Sequence, residues 1–225
     1  MTSIPEPPPA AAAYYPPPAY ARAPPKDLTA FGVLAFAAAT LYTVFAVVDA
    51  AVSGRAIRHV DDTGALDWSV PVYFLVTVFE FLALLAGWVL GSMWLHRARK
   101  NAEALAPGAH HARSAGWAWG GWVCPIVSFW FPFQVVRDVH RAVSPTSTSS
   151  LTGWWWALYL VMTLGTNIMG NATADATASD ASAVQSANVF FAVVSVAALV
   201  LWGLVLRRTT REQHARMLGG QAFAG

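Results

Sequence analysis

PVYFLVTVFEFLALLAGWVLGSMWLHRARK, residues 71–100, decides the fold. Over residues 71–95 it carries one charge, Glu80, and then His96, Arg97, Arg99 and Lys100 arrive together. A helix rises about 1.5 Å per residue, so this run exceeds the roughly 30 Å of a bilayer's hydrocarbon core. Proline is tolerated in the first helical turn, and a Trp followed by cations marks a membrane–water boundary. The stretch reads as a transmembrane helix.

Three further runs repeat the pattern: 28–48, ending at Asp49; 153–170; and 187–206, followed by Arg207 and Arg208. In lipid the backbone must satisfy its own hydrogen bonds, which helices do within one segment. Of the 225 residues, 56% are hydrophobic and only 12% charged, about half the charged share of a soluble domain. Eleven tryptophans suit a chain with long interfacial belts. The single cysteine, Cys124, excludes an internal disulfide and a multi-cysteine zinc site. Twelve Arg against two Lys suggests a GC-rich bacterial genome.

Cation placement sets the orientation. With both termini in the cytoplasm, only Arg55 and Arg58 of the fourteen Lys and Arg lie outside. The 171–186 loop holds Asp175 and Asp180 and no cation. The positive-inside rule therefore selects cytoplasmic termini and a multi-pass protein of the cell (plasma) membrane. Residues 1–26 hold nine of the fourteen prolines, which predicts a disordered, partly polyproline-II tail and lacks a signal peptide's layout.

The segment 116–136 is apolar but broken by Pro125 and Pro132 and crowded with Trp117, Trp119, Trp122 and Trp130. A crossing there would put Arg137 and Arg141 opposite Arg97, Arg99 and Lys100. A re-entrant or interfacial element on the cytoplasmic face is favoured. From Phe133 the spacing is amphipathic, with Phe133, Val136, Val139 and Val143 on one face and Gln134, Arg137, Asp138 and Arg141 elsewhere. The expected architecture is all-α. It is a four-helix transmembrane bundle in residues 27–208, with a re-entrant or amphipathic element over 116–143, a Pro-rich tail at 1–26 and a cytoplasmic C-terminal tail at 209–225.

The stretch 94–145 carries Trp94, Asn101, Trp117, Trp122, Pro125, Pro132, Gln134 and Arg137 at fixed spacings. It resembles the bacterial membrane proteins grouped as domain of unknown function 4328, a family common in actinobacteria. The resemblance implies a multi-helix membrane protein, and Pro-rich tails ahead of the helices are typical of that group. It departs from the family's pattern at Ser128 and Phe133, where Asn and Tyr often stand. The family has no established activity, so the resemblance supports topology and not mechanism.

Glu80 is the most informative single residue. An ionised acid inside a helix in lipid costs roughly 2.5–3.5 kcal/mol, so it faces protein or water, or is protonated. One reading is a proton or cation site with Asn167 of the third apolar run as polar partner; the other is one interhelical hydrogen bond. Gly87 and Gly91 form a GxxxG pair that permits self-association, with packing inside the bundle as the commoner use. Arg97, Arg99, Lys100, Arg113, Arg137 and Arg141 enforce topology and are placed to meet anionic lipid head groups. A cationic belt pressed on a membrane is not placed for nucleic acid. His96, His110, His111 and His140 are scattered, with Glu103 the one nearby acid, so no metal is expected.

No nucleophile–base pair can be placed on a common side, so neither an enzyme nor a cofactor is expected. The favoured reading is a non-enzymatic interaction or scaffold protein of the lipid bilayer, meeting a protein partner through its tail (Pro17, Pro18 and Tyr20 match a WW-domain ligand) or its cytoplasmic face. The alternative is a small transporter or channel centred on Glu80.

Overall fold

The structure is a computed structural model that describes residues 24–62, 68–144, 150–172 and 178–222. Residues 1–23 of the Pro-rich tail and the 173–177 part of the acidic loop lie outside these residues. The described residues contain six α-helices and no strand: α1 (Thr29–Asp62), α2 (Ser69–Leu105), α3 (Trp117–Val123), α4 (Phe131–Val143), α5 (Ser150–Ala172) and α6 (Ala181–Ala222).

The long helices outrun the apolar runs that announce them. α1 passes Asp49 by about three and a half turns, and α6 continues through the expected C-terminal tail to Ala222. Hydropathy marks where a helix meets lipid, whereas Ala and Arg in α1, joined by Glu and Gln in α6, continue a helix into water at little cost. α2 stops where it must: Leu105 is its last residue, two before Pro107, and a residue preceding proline is pushed out of the helical region.

α1 is the centre of the bundle, packed along α2 on one side and α6 on the other, with α5 against α6. One end gathers the start of α1, the last turns of α2 and α6, and the α3–α4 hairpin. Asn101 of α2 meets both Lys26 and Gln213 of α6 there. Every described Lys and Arg except Arg55 and Arg58 belongs to the segments at this end. It also holds the buried core, where Trp94, Leu95, Val135, Val136, Val139, Trp155, Trp156 and Leu206 pack together.

α3 and α4 pack on each other. A side-chain carbon at Gly121 would lie 3.4 Å from Phe131 and Pro132, so the two helices meet in close van der Waals contact there. A 3-10 turn (Val127–Phe129) joins them, closed by the Ser128 hydroxyl donating to Pro125 O at 2.7 Å. The hairpin's tip is apolar and open: Val123 is 67% exposed and Ile126 70%. α4 is the expected amphipathic helix with one difference. Asp138, read as part of the polar face, is buried, because the loop after α2 folds over it and donates Ala112 N–H to its Oδ2 at 2.8 Å.

Away from this end the helices are bare. Only 17% of the most apolar window of α1, 17% of that of α2 and 33% of that of α6 is buried within the chain. Leu41, Phe74, Phe81 and Val193 stand in the open, an apolar surface far larger than water tolerates. These three helices are long and apolar enough to cross a membrane. α5 is not among them: Trp154, Trp155, Trp156, Thr163, Thr166 and Asn167 dilute its hydropathy.

Candidate functional site

Most of the resemblance-bearing residues converge on the core-bearing end and join two or more segments, whereas Pro125 lies exposed at the hairpin tip and Arg137 meets Asp138 and Phe133 of its own helix. Trp94 is fully buried, edge-on to Trp202 at 5.6 Å, and its indole N–H donates to Thr210. Asn101 clamps the root of the N-terminal tail by its backbone, accepting from Lys26 N–H at 2.9 Å and donating to Lys26 O at 2.6 Å. The same amide donates to Gln213 Oε1 at 3.0 Å, and Gln213 donates back to Ala98 O. Arg113 donates to Gln134 at 2.9 Å and lies 3.9 Å over the Phe131 ring. Trp117 meets Phe131 edge-on, while Trp122 sits against Trp156 and Tyr159 of α5. Pro132 opens α4, where its missing N–H costs nothing. Phe133 stacks on Trp156, an apolar contact that needs no hydroxyl.

The expected head-group cations are largely engaged inside the chain. Arg99 is buried, pairs with Glu103 at 2.9 Å and donates to Arg113 O. Lys100 also pairs with Glu103, and Arg137 with its neighbour Asp138. Arg97 donates to Asp27 O and covers the Phe31 ring. Arg141 is exposed. Asp27 itself accepts from both the hydroxyl and the N–H of Thr29, which hold its carboxyl below the usual range and seat the start of α1. His140, 3.5 Å from Glu212, and His111 are both held below the ordinary histidine range by burial. Among the described residues no three His, Cys, Asp or Glu side chains are grouped to hold a metal ion.

A second polar cluster lies inside the apolar spans. Glu80 faces the Tyr42 hydroxyl of α1, and Asp49 of α1 lies within electrostatic reach of it. Tyr73 is near both acids, and Asn188 of α6 donates to Asp49 Oδ2 at 2.9 Å. Thus α1, α2 and α6 each contribute, and the partner found for Glu80 is Tyr42. Asn167 instead donates to Thr163 O of its own helix. Sequence reading took Asp49 as the end of the first span and passed over Tyr42. The available signal was their seven-residue spacing, which puts both on one face of α1.

Tyr42 also lines a cleft of about 480 Å³ between α2 and α5, floored by α1 and α6. Gly87 and Gly91 form part of its α2 wall; nothing lies within 4 Å of where a Gly87 side chain would begin. Within the chain the pair borders the cleft, with the Trp202 ring of α6 lying 4.0 Å from where a Gly91 side chain would begin. Close approach falls to other glycines: Gly203 against Phe36, Gly54 against Gln185 and Gly165 against Phe191. Asn167 sits on the α5 wall, and the stacked rings of Trp155 and Trp202, 4.7 Å apart, close the end nearest the core.

No curated protein and no solved structure matches the chain. Residues 58–211, more than half of the chain, match a family model running from the end of α1 through α2, the hairpin and α5 into α6, and so containing every motif residue named above. The chain belongs to the family described as a domain of unknown function (DUF4328).

Proposed function

We propose that this is a multi-pass plasma-membrane protein of a GC-rich bacterium, crossing four times with both termini in the cytoplasm, and that it works as a small transporter. Glu80 and Asp49 hold the coupling proton or cation, and the cleft beside them takes the solute. No enzyme chemistry is invoked. The orientation is supported by the gathering of cations at one end of the bundle. A fourth crossing by α5 is supported by its 23 residues, about 35 Å of helix. The re-entrant reading of α3–α4 is supported by a hairpin whose polar contacts lie at the cationic end and whose tip is apolar and exposed.

One observation carries the transporter reading: Tyr42 both lines the cleft and faces Glu80. A lone acid in a span serves equally as helix glue. Two acids from different helices, tied by a hydroxyl to an open cavity, are arranged like an ion site coupled to a solute path. The scaffold reading loses support where Arg99, Arg113 and Arg137 turn to contacts within the chain, although Arg141, Arg207, Arg211 and Arg216 stay exposed. It keeps one favourable observation, the Asn101 clamp, which would present a tail-bound partner in a fixed place.

The test is labelling of the reconstituted protein with a hydrophobic carbodiimide across a pH series, mapped by mass spectrometry. Such reagents modify protonated carboxyls in apolar surroundings. Modification at Glu80 or Asp49 that fades as pH rises is expected. If neither residue is modified at any pH, the transporter reading is lost. Partner capture dependent on residues 1–26 then becomes the measurement of choice.

A further inference from the structure

The transporter reading leaves its solute open, and the cleft narrows the chemistry. We propose that the cleft between α2 and α5 binds a lipophilic organic cation, an apolar body with a quaternary or delocalised positive charge. This deepens the transporter reading and rests on it for what happens after binding; the binding step stands on the cleft itself.

Size admits such a molecule: about 480 Å³ is within the range of small-molecule sites. The walls favour it. Trp88, Trp122, Trp155, Trp202, Tyr42 and Tyr159 all line the cavity, and aromatic faces attract cations most strongly where water is excluded. No Lys or Arg lines it, so an anionic solute would meet no counter-charge. The nearest ionisable group of the opposite kind is Glu80. On α2 it precedes the lining residues Ala83, Leu84, Gly87 and Gly91 by three, four, seven and eleven positions, which is the spacing of one helix face. The acid therefore sits just beyond the outer end of the aromatic wall, with the Tyr42 hydroxyl between them.

Access fits the same class. α2 and α5 stand on opposite sides of the cleft, and Leu84 and Leu85 on its α2 rim are exposed. The opening lies between α2 and α5, away from the floor of α1 and α6, so a solute that partitions into the bilayer reaches it sideways. Toward the core, Leu95, Trp122 and the Trp155–Trp202 stack close the path.

The experiment uses the full-length protein in lipid nanodiscs, titrated with tetraphenylphosphonium and, separately, with tetraphenylborate, an anion of the same size and shape. Binding is read by equilibrium dialysis and by quenching of tryptophan emission. Expected are saturable binding of the cation and none of the anion. Gly87→Phe should fill the wall and abolish binding, with Gly87→Leu as a smaller replacement; neither meets a neighbour within 4 Å at its first carbon. Glu80→Gln should weaken the cation about tenfold, the scale of one screened charge contact. Saturable anion binding, or cation binding unchanged in both Gly87 variants, overturns the proposal. The two readings fail separately. Labelling of Glu80 that fades with pH alongside no cation binding removes this inference and leaves the transporter reading. Gly87-sensitive cation binding alongside no labelling of either acid does the reverse.

Discussion

Replacing Asn101 by leucine tests whether the clamp at the core-bearing end is what fixes the root of the N-terminal tail. The asparagine amide makes two hydrogen bonds to the Lys26 backbone and one to Gln213. Leucine is close in volume and makes none of them. The Lys26 groups are only part-buried and can turn to water, so their loss costs the net value of two ordinary hydrogen bonds, about 2 kcal/mol in total. That energy holds the Lys26–Asp27 bond against α2. Tryptic cleavage after Lys26 should therefore accelerate about 30-fold under conditions where opening is fast relative to cutting. Gln213 is different: it is 0% exposed, and its carbonyl oxygen would be left buried without its donor, a penalty of about 1–3 kcal/mol. Removing that oxygen as well, in Asn101→Leu with Gln213→Leu, should recover part of the thermal stability while cleavage at Lys26 stays fast. The assay is mass-spectrometric timing of that one cut, with thermal melting of the same samples in detergent. Unchanged cleavage in Asn101→Leu, or a double variant less stable than the single one by more than the further loss of the Gln213–Ala98 bond, would refute the reasoning.

Glycine packing gives a second contrast. A first side-chain carbon at Gly203 would fall 2.7 Å from Phe36 of α1, so Gly203→Val should destabilise by about 1–3 kcal/mol, whereas Gly87→Ala should leave the detergent melting temperature unchanged. Equal melting of the two variants would show that Phe36 simply swings away. Acidification gives a third. Burial holds His140 and His111 below the ordinary histidine range; at His140, Glu212 opposes the effect and Arg208 adds to it, and at His111, Arg99 and His110 add to it while Asp138 and Glu103 oppose it. Their neutral forms stabilise fully above the unfolded histidine pKa of about 6.5, and that stability is lost as pH falls through it toward the lower folded values. Melting followed by tryptophan emission should hold level from about pH 8 to 7 and decline below about pH 6; a midpoint that rises on acidification contradicts the assignment.

What the sequence made legible follows from the solvent. Lipid leaves long uncharged runs in α1, α2 and α6, and proline with aromatic crowding betrayed the hairpin at 117–143. Three things stayed hidden. Hydropathy says nothing about how far a helix extends once it is in water, so the ends of α1 and α6 were missed. Spacing identifies Gly87 and Gly91 as a small-residue face but not which neighbour, if any, occupies it. An acid at the edge of an apolar run, such as Asp49, looks the same whether it ends a span or belongs to a polar cluster across three helices. Only the register between helices separates those cases, and it is set by contacts distant in sequence, such as Asn188 with Asp49.

The division of labour between the two ends has a physical cause. Between helices in lipid the hydrophobic effect gives no drive to associate, because acyl tails are as apolar as leucine. The spans accordingly bury little of their apolar windows in one another. Precise positioning has to come from where water is present, and there the chain concentrates its tryptophans, the Asn101–Gln213 amides and the Arg99–Arg113–Gln134 chain. The family motif therefore builds the frame. Glu80 falls within the family match, whereas its neighbours Tyr42 and Asp49 precede residue 58 and lie outside it. Frame and cleft nevertheless share parts: Trp202 packs on Trp94 in the core and on Trp155 at the closed end of the cleft, and Trp122 belongs to both hairpin and wall. On the transporter reading, a solute that displaced Trp122 or Trp155 would also press on Trp156 and Tyr159, which pack against them.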